Sequence, residues 1–176
     1  MLKINTSNLE QALFKFADKV VLDAKANLKA KDKVASGKLL NSVSVGKIKV
    51  SRRSIELNIN FEKYGAFIDK GVSGVKKKYD TPYSYTNKMP PPSALDGWIV
   101  KRGIAPRDDK GQFKSRKSVQ FAIARSIFNN GIKPTHFLSD AVKKNIKLVP
   151  MQFQEALALD VKSTVDFIIK SNFKNK

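Results

Sequence analysis

The spacing of apolar residues changes once near the start of the chain, and this change limits the fold more than any other feature. From residue 9 to residue 24 they recur every three or four positions, the period of one helix face, at Leu9, Leu13, Phe16, Val20 and Ala24. A capping-box pattern over residues 7–10 predicts that this helix starts there. Between residues 43 and 61 the period is two, which predicts a hairpin with its turn at 51–54 and a bulge near Gly46.

The last third of the chain predicts helices that would cover this hairpin. One runs from Val119 to Asn130 and ends at Gly131, and Pro134 is expected to begin the next. Pro150 predicts a break before a final helix over residues 153–168, because proline disfavours helical geometry in the residue before it. We therefore expect an α+β fold, with a small antiparallel sheet packed by N-terminal and C-terminal helices.

The middle of the chain has a different composition. Residues 72–117 are rich in Lys, Tyr, Pro and Asp and include TPYSYTNKMPPPS, whose three consecutive prolines favour an extended backbone. A short helix is predicted around Leu95, Trp98 and Ile99, with its stop at Gly103. We interpret the chain as a single domain, 1–176, with its core at about 1–71 and 118–176. An inserted arm, about 72–117, carries short helices and can add a strand to the sheet. Its first part, Val72 to Pro92, is expected to be mobile in a free subunit.

The charge of the chain points to anionic partners. Its 34 Lys and Arg against 15 Asp and Glu give a net charge of +19, and both halves share the excess, so the basic character does not come from a tail. The chain has no cysteine, which excludes disulfides and thiolate metal sites. We see no signal peptide and no membrane-spanning run, so we expect a soluble, unsecreted protein with no membrane partner.

Few residues are suited to catalysis. His136 is the only histidine, and neither of its neighbours is an acid or a base. Asp108 and Asp109 lie in a Lys/Gly turn, where adjacent carboxylates are usually turn formers. We therefore expect no enzyme and no catalytic, cofactor-binding or metal-binding residue; a hydrolase that uses scattered carboxylates is a remaining alternative.

The stretch GVSGVKKK, residues 71–78, raises the question of a phosphate-binding loop. A Walker-type loop needs four residues between its glycines and then Lys and Ser or Thr, and this stretch has two residues followed by Val. A KH-type clamp needs helices on both sides, and KKKYDTPYSY is a poor helix. We interpret Gly71 and Gly74 as hinges of the arm. The candidate contacts with DNA or an acidic partner are Lys76, Lys77, Lys78, Arg102 and Arg107.

Three short stretches, taken in order, resemble a known family. SGKLLNS (36–42), YGAFIDKG (64–71) and KPTHFLSDAV (133–142) are similar to elements of the tail-completion, or head–tail joining, proteins of long-tailed bacteriophages. The chain departs from the usual pattern at Asp69, at Val72 and at the Thr135-His136 insertion.

The resemblance implies a structural virion protein without enzymatic activity. Such proteins form a neck ring between the capsid portal or connector and the tail tube or tail terminator, around the channel that double-stranded DNA crosses during packaging and ejection. They are assembled in the bacterial cytoplasm. The residues expected at the subunit or neck interface are Tyr79, Tyr83, Tyr85, Pro134, Phe137 and Leu138. The alternative that the charge also allows is a sequence-nonspecific nucleic-acid-binding protein.

Overall fold

A computed structural model describes residues 6–50 and 54–173. In these residues the elements follow in the order α1 (Ser7–Ala30), α2 (Lys38–Ser42), β1 (Ser44–Val50), β2 (Ile55–Asn60), α3 (Gly65–Lys70), α4 (Asp96–Lys101), α5 (Arg116–Asn130), α6 (Phe137–Ile146) and α7 (Val149–Phe173). The expected α+β class is confirmed. Most of the hairpin turn expected at 51–54 lies outside the described residues.

The described residues cluster into two compact units. The first unit takes its described residues from Met1–Ala26, Val43–Asn60 and Leu138–Lys176, and the second unit from Asn27–Ser42 and Phe61–Phe137. The chain therefore divides at other positions than 71 and 118, because α2 and α3 cluster with the expected arm and not with the hairpin.

In the first unit, the start of α1 is held by a carboxylate from α7. Asp160 is fully buried, and its carboxylate accepts hydrogen bonds from the backbone amides of Asn8 (3.1 Å) and Leu9 (3.0 Å) and from the Asn8 side chain (2.8 Å). Burial raises the pKa of Asp160, but these hydrogen bonds outweigh it and hold the pKa below 3.8. The expected capping box is thereby corrected: Asp160 caps the first-turn amides, and Glu10 accepts from the Thr6 hydroxyl at 2.9 Å.

A second polar contact joins α1 to α6. The Asn145 side chain donates to the Asp23 carboxylate at 2.7 Å, and Lys144 donates to the same group at 3.1 Å. The hydrogen bond from Asn145, followed by that from Lys144, lowers the pKa of Asp23. The expected helical stripe is buried at four of its five positions, and Phe16 is half-buried. The buried side chains of α1 in this unit are Leu9, Leu13, Ala17, Val20, Val21 and Ala24.

The hairpin of the first unit has the expected bulge. β1 and β2 pair antiparallel from Ser44 with Asn60 to Val50 with Ile55, and the register shifts between Val45 and Ile48. A Cβ on Gly46, within this shift, would come to 2.8 Å from a carbonyl of β2, so the bulge requires glycine there. Among the described residues the sheet has two strands, and residues 72–117 contribute isolated bridges and no third strand.

The late helices begin and end near the expected positions, with two exceptions. α5 ends at Asn130 with Gly131 (φ 72°) as its C-cap, and residues 147–148 interrupt the helices before Pro150, as expected. Val149 was predicted to be non-helical but is the first residue of α7, so the final helix starts before the expected residue 153. Pro150 lies in the first turn of α7, where its missing amide removes no helical hydrogen bond. The start of α6 was predicted wrongly at Pro134, because the helix begins at Phe137 and the three residues before it contact the end of α3.

Candidate functional site

The three stretches that carry the family resemblance meet in the second unit. α2 comes from the first stretch and α3 from the second, and Leu39 of α2 lies directly against Gly65 of α3. A Cβ on Gly65 would come to 2.8 Å from Leu39 Cδ1 and to 2.7 Å from the Phe61 ring. Ser42 completes the contact, because its hydroxyl accepts from the backbone amide of Glu62 at 3.0 Å and donates to the Leu39 carbonyl at 2.8 Å.

The third stretch closes the end of α3. The Thr135 amide donates to the carbonyls of Ile68 and Asp69 at 3.1 and 3.2 Å, and its hydroxyl donates to Ile68 at 2.7 Å. The His136 amide donates to Asp69 at 2.9 Å. These bonds satisfy carbonyls that a helix C-terminus leaves unpaired. We call residues 38–42, 61–71 and 133–137 the motif junction.

The expected interface role of Phe137 is corrected, because this side chain lies in the core of the motif junction. Phe137 is 0% exposed, and its ring meets the edge of the Phe61 ring at a centroid distance of 6.4 Å. A side chain that is buried in this way belongs to the core, and it is not available to a partner while the chain is folded. Pro134 packs against Gly71 in the same junction, whereas Leu138 falls in the first unit.

The glycines of the GVSG stretch are explained by close backbone packing. Gly71 has a φ of 76°, and a Cβ there would come to 2.7 Å from the Ile132 carbonyl. Val72 and Ile132 exchange two backbone hydrogen bonds of 2.9 and 2.8 Å. Gly74 lies against the backbone of Asn129 so closely that a Cβ would collide with it. This close packing replaces the expected hinge, because a hinge requires space to move.

Residues 73–85 also fold back on themselves within the second unit. The Ser73 amide donates to the Tyr83 carbonyl and the Tyr85 amide donates to the Ser73 carbonyl, both at 2.8 Å. Tyr83 packs edge-on against Phe67 at 4.6 Å, and burial raises the pKa of the Tyr85 phenol. Tyr79 is half-buried and donates its amide to the Ser73 hydroxyl at 3.0 Å. The expected mobile arm is therefore corrected over this stretch, and the three tyrosines have contacts within the chain.

The expected cationic contacts separate into two groups. Lys76, Lys77 and Lys78 are exposed on a loop whose backbone is fixed to the end of α5, and their contact with DNA stays a prediction. Arg102 donates from Nη1 to both carboxylate oxygens of Asp32, at 2.9 and 2.8 Å. The Arg107 guanidinium lies 3.9 Å from the Phe113 ring centroid. Both arginines thus have contacts inside the chain, and their contact with DNA also stays a prediction.

The residues considered for catalysis have local structural roles. The Asp108 carboxylate accepts from the amides of Lys110 and Gln112 at 3.0 and 2.9 Å, which confirms that it forms a turn. His136 is exposed and has a φ of 51°. Within the residues that the structure describes, no three His, Asp or Glu side chains come together as a metal-binding group. No helix in the described ranges is both long and apolar enough to cross a membrane.

Sequence reasoning missed a groove in the second unit. It has a volume of about 600 Å³ and lies between α2, α3, α4, α5 and the loop after α1. Its floor is apolar, and five cationic residues but no acidic residue line it among those that the structure describes. We call it the basic-rimmed groove; its rim comprises Lys33, Lys38, Lys101, Arg102 and Lys133. No sequence signal could have revealed it, because the residues that line the whole groove come from four separate segments.

No protein-family model, curated protein sequence or solved structure matches this chain.

Proposed function

We propose that this chain is a structural virion protein of a long-tailed bacteriophage, and that it forms part of the neck ring that joins the capsid portal to the tail. The observation that carries the proposal is the motif junction. The three stretches that resemble head–tail joining proteins are far apart in sequence, yet they contact one another through Leu39, Gly65, Ile68 and Thr135. Stretches that belong to one family pattern are expected to lie together in the fold, and these contacts are what that expectation requires.

The charge supports a place beside the DNA channel. A net charge of +19 favours duplex phosphates or acidic neighbouring rings, and Lys76, Lys77 and Lys78 are exposed on a fixed loop. Contact through phosphates would be indifferent to base sequence, which suits a channel that the whole genome crosses.

A ring also requires contacts between copies, and α7 offers a suitable surface. Leu157, Val161 and Val165 lie four residues apart on one face of α7 and are 48, 46 and 46% exposed. Two copies of so basic a chain repel each other over most of their surface. This face is an exception, because the exposed Asp166 lines it and offsets its one cation, Lys162. We therefore propose that α7 contacts a second copy.

The gene deletion tests the function directly. A phage that lacks the gene is expected to accumulate DNA-filled or leaking capsids and separate, unattached tails, visible by electron microscopy. Complementation with the wild-type gene should restore joined particles. Intact infectious particles from the deletion, or a block in DNA replication before capsids appear, would refute the neck assignment.

Measurements on the purified protein distinguish a neck protein from a free nucleic-acid-binding protein. We expect a ring oligomer by sedimentation, with weak duplex binding that is indifferent to sequence and falls steeply with salt. Changing Lys76, Lys77 and Lys78 to Glu should flatten the salt dependence. Leu157→Glu should dissociate the oligomer, whereas Leu22→Glu, on exposed α1 surface, serves as the matched control. Tight duplex binding by a monomer would instead support the nucleic-acid-binding alternative.

A further inference from the structure

The basic-rimmed groove combines an apolar floor with a cationic rim. Its floor includes the half-buried side chains of Leu40, Ile68, Leu95, Ile123 and Ile127. Trp98 and Tyr64 line the same groove and remain 40 and 41% exposed. An apolar concavity of about 600 Å³ lies within the usual size range of binding sites.

The rim of the groove is cationic. Two of its five cations have partners in the chain, since Arg102 pairs with Asp32 at 2.8 Å and Lys38 pairs with Glu62 at 3.4 Å. Lys33, Lys101 and Lys133 are exposed around the same floor. The rim therefore keeps an excess of positive charge after its own ion pairs are counted.

We propose that the basic-rimmed groove binds an acidic amphipathic segment of a different protein. Its Leu, Ile or Phe side chains would enter the floor around Trp98, and its Asp or Glu side chains would pair with Lys33, Lys101 and Lys133. This is the helix-in-groove mode of recognition, in which apolar residues at i, i+3, i+4 and i+7 anchor the segment. The proposal rests on the groove alone and does not depend on the neck assignment.

Charge and polarity decide against two other occupants. A second copy would bring a chain of net charge +19 to a cationic rim. A nucleic acid backbone would find cations at the rim, but its phosphates would gain nothing from a floor of Leu and Ile side chains. An acidic segment with an apolar face matches both the rim and the floor.

Gly97 allows the groove to be filled with little disturbance of its surroundings. It lines the groove within α4, and a Cβ there would have no atom within 4 Å. Gly97→Phe should therefore place a ring in the groove, and Gly97→Ala separates the effect of a stiffer helix from that of filling. Thermal unfolding by circular dichroism checks that each variant remains folded.

The test selects peptides on the full-length protein. A displayed library of random peptides, each about 16 residues long to allow four helical turns, is enriched on the wild type and depleted on Gly97→Phe. We expect the enriched peptides to combine Asp or Glu with apolar residues at helical spacing. Their synthetic forms should change the emission of Trp98, the only tryptophan of the chain.

Matched variants then separate the contribution of the rim from general charge. Binding should weaken by about tenfold or more, equivalent to about 1.4 kcal/mol, in Gly97→Phe and in the Lys101→Glu/Lys133→Glu double variant. The Lys143→Glu/Lys147→Glu double variant changes the net charge equally on exposed positions of the first unit, and it should bind like the wild type.

Three results would overturn the proposal. The first is that no peptide is enriched over Gly97→Phe, and the second is that the enriched peptides are not acidic. The third is that a dT oligonucleotide changes Trp98 emission more strongly than the peptides and loses this effect in Gly97→Phe. The third result would assign the groove to base stacking.

Discussion

Asp160 provides the sharpest test of how the first unit is held together. Its buried carboxylate is the acceptor for the Asn8 and Leu9 amides and for the Asn8 side chain. Loss of an N-terminal cap costs about 0.5–2 kcal/mol. Leaving buried donors unpaired adds about 1–3 kcal/mol. We therefore expect Asp160→Ala to lower the free energy of unfolding by about 1.5–5 kcal/mol.

Urea unfolding followed by far-UV circular dichroism measures this loss, because the helical signal includes α1 and α7. The fluorescence of Trp98 is less suitable, because Trp98 belongs to the second unit. Asp160→Asn keeps one acceptor oxygen and should lose about 1–2 kcal/mol. Glu155→Gln, at an exposed position of the same helix outside the Leu157–Val165 face, is the control and should stay within about 0.5 kcal/mol of the wild type.

The pH dependence separates a charged cap from simple packing. The pKa of Asp160 is lowered on folding, so its ionised form stabilises the fold above the ordinary value of 3.8, and this contribution is lost as the pH falls through the folded pKa. The difference in unfolding free energy between wild type and Asp160→Asn should be constant from about pH 7 to about pH 5 and shrink below about pH 3.8. A difference that is equal at all these pH values, or an Asp160→Ala variant as stable as the wild type, would refute the reasoning.

Three further outcomes follow from the second unit. Gly74→Ala should destabilise the protein by about 1–3 kcal/mol in urea unfolding, because the added Cβ would meet backbone atoms. Gly97→Ala, where the Cβ has open space, should be neutral or stabilising by up to about 1 kcal/mol. Equal effects of the two substitutions would contradict the close backbone packing at Gly74. Phe137→Ala should cost about 3–5 kcal/mol without loss of any exposed surface, so a stable variant with a weakened oligomer would restore an interface role. Brief trypsin digestion should cut within residues 105–118, all of them exposed, before residues 76–78, because the amides of Lys76 and Lys77 donate to the end of α5. Mass spectrometry that finds the reverse order would support a mobile arm.

The arm shows how composition can mislead. Residues 72–85 have few apolar residues in a regular period, so the sequence predicted a mobile segment. The structure instead fixes them by backbone hydrogen bonds between Val72 and Ile132 and between Ser73 and Tyr85, and by glycines that allow backbones to touch. Neither contribution depends on apolar periodicity, which is why the pattern did not reveal them.

The sequence by itself determined the features that depend on neighbouring residues. The helical stripe of α1, the two-residue period and bulge of the hairpin, the end of α5 at Gly131 and the interruption before Pro150 all follow from side-chain spacing and from the backbone limits of Gly and Pro. The tertiary structure alone decided that Asp160 caps α1, that Phe137 is core, and that four separate segments form the basic-rimmed groove. These features join residues that are distant along the chain, and a local pattern carries no record of which distant backbone group or side chain will be its partner.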